Sequence, residues 1–358
     1  MDHLSRQRQL RAELADHGLD ALLVAHLPNV RYLCGFTGSA GILLLGPRKP
    51  LFITDGRYTE QAHQQVVGAK IVISKGPALD AVVQQIVKLK LAAIGIEADH
   101  VTVAQRSRLK RMLPSKTKLR ETSGIVERLR MIKDAGELAA IRKAVNLGAE
   151  LFDVVLQAIR PGVRESEVAA ELEYEARRRG AEGMSFETIV AGGPRSALPH
   201  GVASQGAIPE SGFVVLDYGV ILGGYCSDQT RTVHVGKPSS EARKWYEAVL
   251  ESQLAGVKAV KAGVTAGEVD KATRDVLRRA QLGRFFSHST GHGVGLEIHE
   301  SPRLGRNQAE VLEPGMVVTI EPGIYVAGKG GIRIEDMVAV TATGGEVLTP
   351  LGKDLIVL

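Results

Sequence analysis

Five residues in the C-terminal half of this chain, Asp217, Asp228, His292, Glu321 and Glu335, could together do chemistry that none could do alone. Asp217 and Asp228 lie in two strand-like runs, Phe213 to Gly219 and Tyr225 to Val235, separated by Ile221-Leu222-Gly223-Gly224, which has the residue types of a tight hairpin turn. A simple hairpin turning between Leu222 and Gly223 sets Asp217 opposite Asp228. Two carboxylates facing across a ladder, with Cβ atoms about 5 Å apart, repel each other unless a cation joins them. The device recurs where Met316 to Gly323 and Ile332 to Val340 flank Ala327 to Gly331, and a hairpin centred near Gly328 sets Glu321 opposite Glu335. Four carboxylates balance two divalent ions, and His292, within the glycine-rich run Thr290 to Gly295, adds one nitrogen ligand. An oxygen-rich set with one imidazole and no thiolate suits Mn²⁺ or Co²⁺ better than a closed structural zinc site. Ions so held would activate water for hydrolysis. A single Asp on a strand is ordinarily just a solvated or hydrogen-bonded side chain. Two mirrored acidic hairpins and a glycine-flanked histidine carry the metal reading together, because four uncompensated buried carboxylates would not be stable.

The elements that must position these residues are legible as a repeat. Ala158 to Val168 recurs as Ala259 to Val269, and the same interval separates Arg177-Arg178 from Arg278-Arg279. Thr265 and Glu268 form a capping box for the second helix of the pair. Each copy runs through a helix to one acidic hairpin, so a duplicated half folding about a pseudo-twofold axis brings both hairpins to one cleft. Upstream, residues 1–122 alternate helix-like and strand-like segments. Leu4 to His17 and Leu79 to Leu89 have helical spacing, Ala21 to His26 is a short buried strand, and Ile42 to Leu45 with Leu51 to Thr54 read as a hairpin. The polar stretch Lys116 to Thr122 reads as a linker, after which Asp134 starts a long helix reaching about Gln157. The expectation is an α+β chain of two domains: 1–122, small and α/β, and 123–358, carrying the chemistry.

Composition bounds the alternatives. The chain of 358 residues is 44% hydrophobic and 24% charged, which is ordinary for a globular protein. No apolar run is long enough to span a membrane, and the charged opening residues do not read as a signal peptide, so a cytoplasmic location is expected. The two cysteines, Cys34 and Cys226, fall in different domains and are read as small buried side chains without a catalytic role. The net charge of +5 and the basic stretch Arg106 to Arg120 raise the question of nucleic acid. No aromatic residues interleave with that stretch, and it is read as a solvated face.

The ordered set Pro199-His200-Gly201, Asp217 to Gly219, Tyr225 to Thr232, His288 to Gly295, Ile298 to Glu300, Glu321 to Gly323 and Arg333 to Glu335 resembles the metallopeptidases of the pita-bread (creatinase/aminopeptidase) fold over essentially the whole chain. The resemblance implies a creatinase-like N-terminal domain and a pseudo-twofold catalytic domain. It implies two divalent ions, with Mn²⁺ favoured and Co²⁺ or Zn²⁺ as alternatives: Asp217 on the first, Asp228 and Glu335 bridging, His292 and Glu321 completing the second. A large N-terminal domain and an Arg two residues before the last metal-ligating Glu point to the Xaa-Pro branch rather than to methionine aminopeptidases. The expected activity is therefore cleavage of the Xaa-Pro bond, by a dipeptidase (prolidase) in preference to an aminopeptidase P acting on longer peptides; a non-catalytic pita-bread binding protein is the remoter alternative. Glu321 is the expected general base, His200 and His299 the donors to the oxyanion, His288 and Arg333 substrate-side residues, with Arg333 also able to orient the ligands. His234 is read as an ordinary packed residue. Arg303, Arg306 or Arg57 could take a substrate carboxylate. Relatives with such an N-terminal domain commonly form dimers, so a homodimer is expected, with small peptides rather than nucleic acid or membrane as partners.

Overall fold

The computed structural model describes residues 1–358. The chain divides into two compact units, Met1–Arg130 and Met131–Leu358, and no helix is long and apolar enough to cross a membrane.

In the first unit a six-stranded sheet runs in the order Lys70–Ser74, Leu51–Asp55, Ile42–Leu45, Ala21–Val24, Ala93–Glu97, Lys118–Thr122. The two central hairpin strands and Ala21–Val24 pair antiparallel, while the outer pairings are parallel. All four residues of Ala21–Val24 are buried, which is why this strand reads as a continuous apolar run rather than an alternating one. The amphipathic segment expected at Leu4 to His17 is the helix His3–Asp16, capped by Asp2, and that at Leu79 to Leu89 is Ala78–Lys88. One sequence expectation fails here. The supposed linker Lys116 to Thr122 contains the edge strand Lys118–Thr122, whose polar character reflects an edge with exposed side chains. The helix that follows, Ile125–Met131, buries Ile125 and Val126, so the unit ends at Arg130 rather than at residue 122. The basic stretch sits on the helix Val103–Met112 and this strand, with Arg108 paired to Asp80 at 2.7 Å and Arg106 to Glu121.

The second unit begins with the Asp134 cap, which accepts from Glu137 N at 2.8 Å while Glu137 returns the bond. The helix is not continuous to Gln157: it runs Ala135–Glu150 and restarts as Phe152–Ala158. At the break the Gly148 carbonyl accepts Tyr218 Oη at 3.1 Å and Gln229 Nε2 at 2.9 Å beside the Leu151 N–H at 3.2 Å. The repeat is explicit. Helices Glu165–Arg178 and Ala266–Arg279 occupy equivalent places, each preceded by a helix ending at Ala158 or Ala259. The capping box at Thr265 and Glu268 is present. The first copy leads to a three-stranded sheet, Gln229–Val235, Gly212–Tyr218, Ile189–Gly192; the second to a five-stranded sheet centred on Val317–Ile320. The copies are stitched where Thr230 C=O accepts Glu335 N–H at 3.1 Å and Thr232 Oγ1 exchanges bonds with Arg333 C=O and N–H at 2.8 and 3.1 Å. The two acidic hairpins meet at this seam.

Candidate metal centre

The first hairpin departs from its expected register. Gly223 and Gly224 both have positive φ, +59° and +79°, and form the two-residue turn themselves. Leu222 therefore pairs with Tyr225, and further along the ladder Asp217 faces Thr230, not Asp228. The carboxylates approach on a diagonal. Gly219 permits this, because a Cβ there would lie 1.8 Å from the Ser227 carbonyl oxygen, beside Asp228. In the second hairpin the expected register holds: Ile320 pairs with Asp336 on one side and Gly323 with Arg333 on the other, so Glu321 faces Glu335. Pro322 has no N–H for the ladder, which opens there. Glu321 N–H instead bonds Thr290 C=O at 2.7 Å, and Glu335 N–H bonds Thr230 C=O, which carries the second hairpin's carboxylate to the first. His292 is brought in by Gly291–Gly293, whose two glycines allow main-chain carbonyls of Thr319 and Ser301 to pass where a Cβ would collide at 1.9 and 2.3 Å.

The five side chains converge. Ligand atoms of Asp228, His292 and Glu335 lie within 4.8 Å of one another. His292 Nδ1 bonds Gly293 C=O at 2.9 Å, which turns Nε2 toward Asp228 Oδ2 at 3.5 Å and Glu321 Oε1 at 3.6 Å. Burial pushes the Asp228 carboxyl up to about 6 and that of Glu321 up to about 7, and burial with the neighbouring carboxylates raises Glu335 well above the usual range. Burial alone would lower His292, but its bond to Asp228 and the Glu321 charge raise it to about 9. Buried carboxylates this close together oppose one another's charge, which a cation among them would relieve. Asp217 Oδ1 and Glu335 Oε1 are buried with no hydrogen-bond partner. Orphaned carboxylate oxygens, hard donors and a single imidazole with its other nitrogen already fixed fit divalent metal ions.

Around the cage lies a cavity of about 730 Å³, lined among others by His200, His288, His299, Arg303, Phe186 and Ile298. His200 and His299 are exposed to it, and the His299 ring stands edge-on to His292 with centroids 4.4 Å apart. Burial, with the nearby imidazoles, lowers His299. His288 and Arg333 border the cavity, and each also makes hydrogen bonds that fix neighbouring groups. His288 spends Nδ1 on Ser289 C=O and Nε2 on Tyr325 Oη, both at 2.8 Å, and burial followed by the Arg333 charge holds it down to about 4. Arg333, 3% exposed, donates to Asp217 Oδ2, to Thr230 Oγ1 at 3.2 Å, to Tyr325 Oη at 2.6 Å and to Pro199 C=O at 3.2 Å. Four of its five N–H donors are thus engaged, and the guanidinium fixes a cage ligand. Burial opposes its charge, but Tyr325, Asp217, Glu321 and Glu335 hold it firmly protonated.

Three residues of the centre were missed. Thr230 Oγ1 donates to Glu335 Oε2 at 2.7 Å, and Thr319 Oγ1 to Glu321 Oε1 at 3.3 Å while accepting His292 N–H at 3.1 Å. Each Thr stands two residues from a ligand, Asp228 or Glu321, so strand periodicity could have found them. Tyr325, which joins His288 to Arg333, had no such signal. His234 lies outside the cage, bonded to Gly236 C=O at 2.9 Å and edge-on to Phe213. Cys34 and Cys226 are free and buried, and burial raises both thiols, to about 11 and about 12. Arg303 faces His292 across the ladder and borders the cavity, whereas Arg306 does not border it.

Residues 139–342 match metallopeptidase family M24, and residues 6–132 match the creatinase/prolidase N-terminal domain. The fold superposes on that of the Xaa-Pro dipeptidase from Bacillus anthracis with a TM-score of 0.97 and 45% identity, covering 100% of both chains. The X-Pro aminopeptidase of Thermotoga maritima gives a TM-score of 0.91 and 38% identity over 99% of this chain and 100% of that one. The Xaa-Pro dipeptidase of Pyrococcus horikoshii is 37% identical over 359 residues, 99% of this chain and 100% of the relative.

Proposed function

The chain belongs to metallopeptidase family M24, and from that premise we propose that it is an Xaa-Pro dipeptidase that uses two divalent ions, Mn²⁺ foremost, held by Asp217, Asp228, His292, Glu321 and Glu335. The observation that carries the proposal is the convergence of these five ligands, two with orphaned buried oxygens, on the wall of a cavity of about 730 Å³. The similarity to Xaa-Pro dipeptidases over their full length supports the choice of substrate.

Bound ions would supply Lewis acidity and a water acidified toward neutral pH. The chain's own groups do the rest. Glu321 Oε1 is held by Thr319, leaving Oε2 without a hydrogen-bond partner and able to take a proton and return it to the proline nitrogen as the imide bond breaks. A ring N–H of His299, and one of His200, would donate to the carbonyl oxygen as negative charge develops on it. Phe186 and Ile298 offer the cavity an apolar wall for the pyrrolidine ring. Arg303, beside His292, is the guanidinium placed to receive the dipeptide's carboxylate. Arg333 and Tyr325 position Asp217 and His288. We also place the protein in the cytoplasm as a homodimer, in keeping with two free cysteines.

A panel of Ala-Pro, Ala-Pro-amide and Ala-Pro-Ala tests the reading. Ala-Pro should be cleaved fastest, and amidation should slow cleavage at least tenfold, about 1.4 kcal/mol of lost charge recognition. Faster cleavage of Ala-Pro-Ala would move the chain to the X-Pro aminopeptidase side, and no cleavage of any of the three would overturn the enzyme reading.

A further inference from the structure

The catalytic cavity continues into a second, basic groove that the dipeptidase reading does not use. His288, Ser289 and Arg303 line both, and beyond them the groove, about 530 Å³, is walled by Arg284 and Arg306. No carboxylate lines it. The nearest acids on the adjoining helix are already engaged, Asp270 with Arg274 at 2.7 Å and Asp275 with Arg278 and Lys271 at 2.5 and 2.6 Å. Arg284, Arg303 and Arg306 are exposed and have no ion-pair or hydrogen-bonding partner; Arg284 only lies over the Phe285 ring, 4.7 Å from its centroid. Elsewhere in this unit arginines are largely spent on acids or carbonyls. Three unpaired guanidiniums along one groove leave a field that an anion would relieve, and a low-walled groove focuses it.

We propose that Arg284 and Arg306 form a subsite for an acidic group one residue beyond the proline, so that tripeptides of the type Xaa-Pro-Asp or Xaa-Pro-Glu bind where neutral tripeptides are refused. The proposal rests on the dipeptidase reading, with Arg303 bordering the position of the proline carboxyl group. A dipeptide ends at Arg303. A third residue must enter the groove, where its side-chain and terminal carboxylates meet Arg284 and Arg306, and planar bidentate pairing suits guanidinium over lysine.

Binding can be read without turnover. The metal-loaded protein is titrated by calorimetry with Ala-Pro-Asp and Ala-Pro-Asn analogues in which CH₂ replaces the scissile carbonyl. The Asp analogue should bind about tenfold tighter than the isosteric Asn analogue, the size expected of charge-assisted contacts partly screened by solvent. Raising salt to 1 M should erase most of that ratio. In the double variant Arg284→Gln/Arg306→Gln the ratio should fall to about one while cleavage of Ala-Pro stays at the wild-type rate, as expected for exposed groups outside the dipeptide's reach. Equal binding of the two analogues to wild type, or a ratio unchanged in the double variant, overturns the subsite. Failure of Ala-Pro cleavage in wild type is a separate result that overturns the parent reading.

Discussion

Stripping the metal should make the protein progressively less stable as pH rises, and the cage sets the size of the effect. In the metal-free chain Asp228 titrates at about 6 instead of 3.8, and Glu321 at about 7 instead of 4.5, because burial disfavours their charged forms. Both folded-state values lie above the unfolded ones. Between roughly pH 4 and 7 the folded chain therefore holds protons that the unfolded chain has released, and stability falls as pH rises. The contribution is fully present below about pH 4 and lost on passing through 6 and 7. Between pH 5 and pH 8 about one unit of the Asp228 shift and about two of the Glu321 shift are lost, together about 3–4 kcal/mol. His292, raised from 6.5 to about 9, extends the loss over the window above pH 6.5. For a unit of this size about 3 kcal/mol moves the midpoint of thermal unfolding by about 10 °C. The assay is thermal unfolding followed by circular dichroism after chelation, at pH 5 and pH 8, with and without added Mn²⁺, alongside Asp228→Asn. The metal-free wild type should melt about 10 °C lower at pH 8, Mn²⁺ should raise the midpoint more at pH 8 than at pH 5, and the Asn variant should flatten the slope. A metal-free wild type equally stable at both pH values, or a slope unchanged in Asp228→Asn, would refute the reasoning.

His299→Ala should keep both ions yet lose about a hundredfold in kcat, as when an oxyanion donor is removed; elemental analysis and turnover on Ala-Pro check this, and loss of metal would make His299 a ligand instead. Lys133 Nζ pairs with Glu300 Oε2 at 3.0 Å, the two side chains being 1% and 7% exposed, so Lys133→Met should remove the cation beside a carboxylate that also accepts Glu297 N–H, and cost about 3 kcal/mol. Adding Glu300→Gln should recover most of that in a denaturant titration, and a double variant no more stable than the single would contradict the pairing.

How much was legible depends on whether a signal was local. Glu321 and Glu335 could be placed opposite each other because the strands on both sides of the opening keep one register. Asp217 and Asp228 were legible as partners, but not their offset, because Gly223-Gly224 takes the turn and shifts the ladder. The repeat was legible because both helices keep the glutamate that accepts the N-cap N–H, Glu167 from Arg164 at 2.9 Å and Glu268 from Thr265 at 2.7 Å, although only Thr265 caps with its side chain. The break at Leu151 was not, and the side chains that meet Gly148 there, Tyr218 and Gln229, come from across the fold. The strand Lys118–Thr122 was hidden by its charge, since an edge strand with exposed side chains carries the composition of a linker. Arg333 was legible as a neighbour of Glu335, but its commitment to Asp217, Thr230 and Tyr325 depends on residues from other strands.

The central claim is that these five side chains hold two catalytic ions, and counting the ions tests it most directly. After purification in Mn²⁺ and removal of free metal, elemental analysis should find about two ions per wild-type chain. Asp228→Ala, which removes a ligand shared by the cage and leaves three carboxylates to neutralise two divalent ions, should retain less than one and cleave no Ala-Pro. Two ions and full activity in Asp228→Ala, or no tightly held ion in the wild type, would contradict the account.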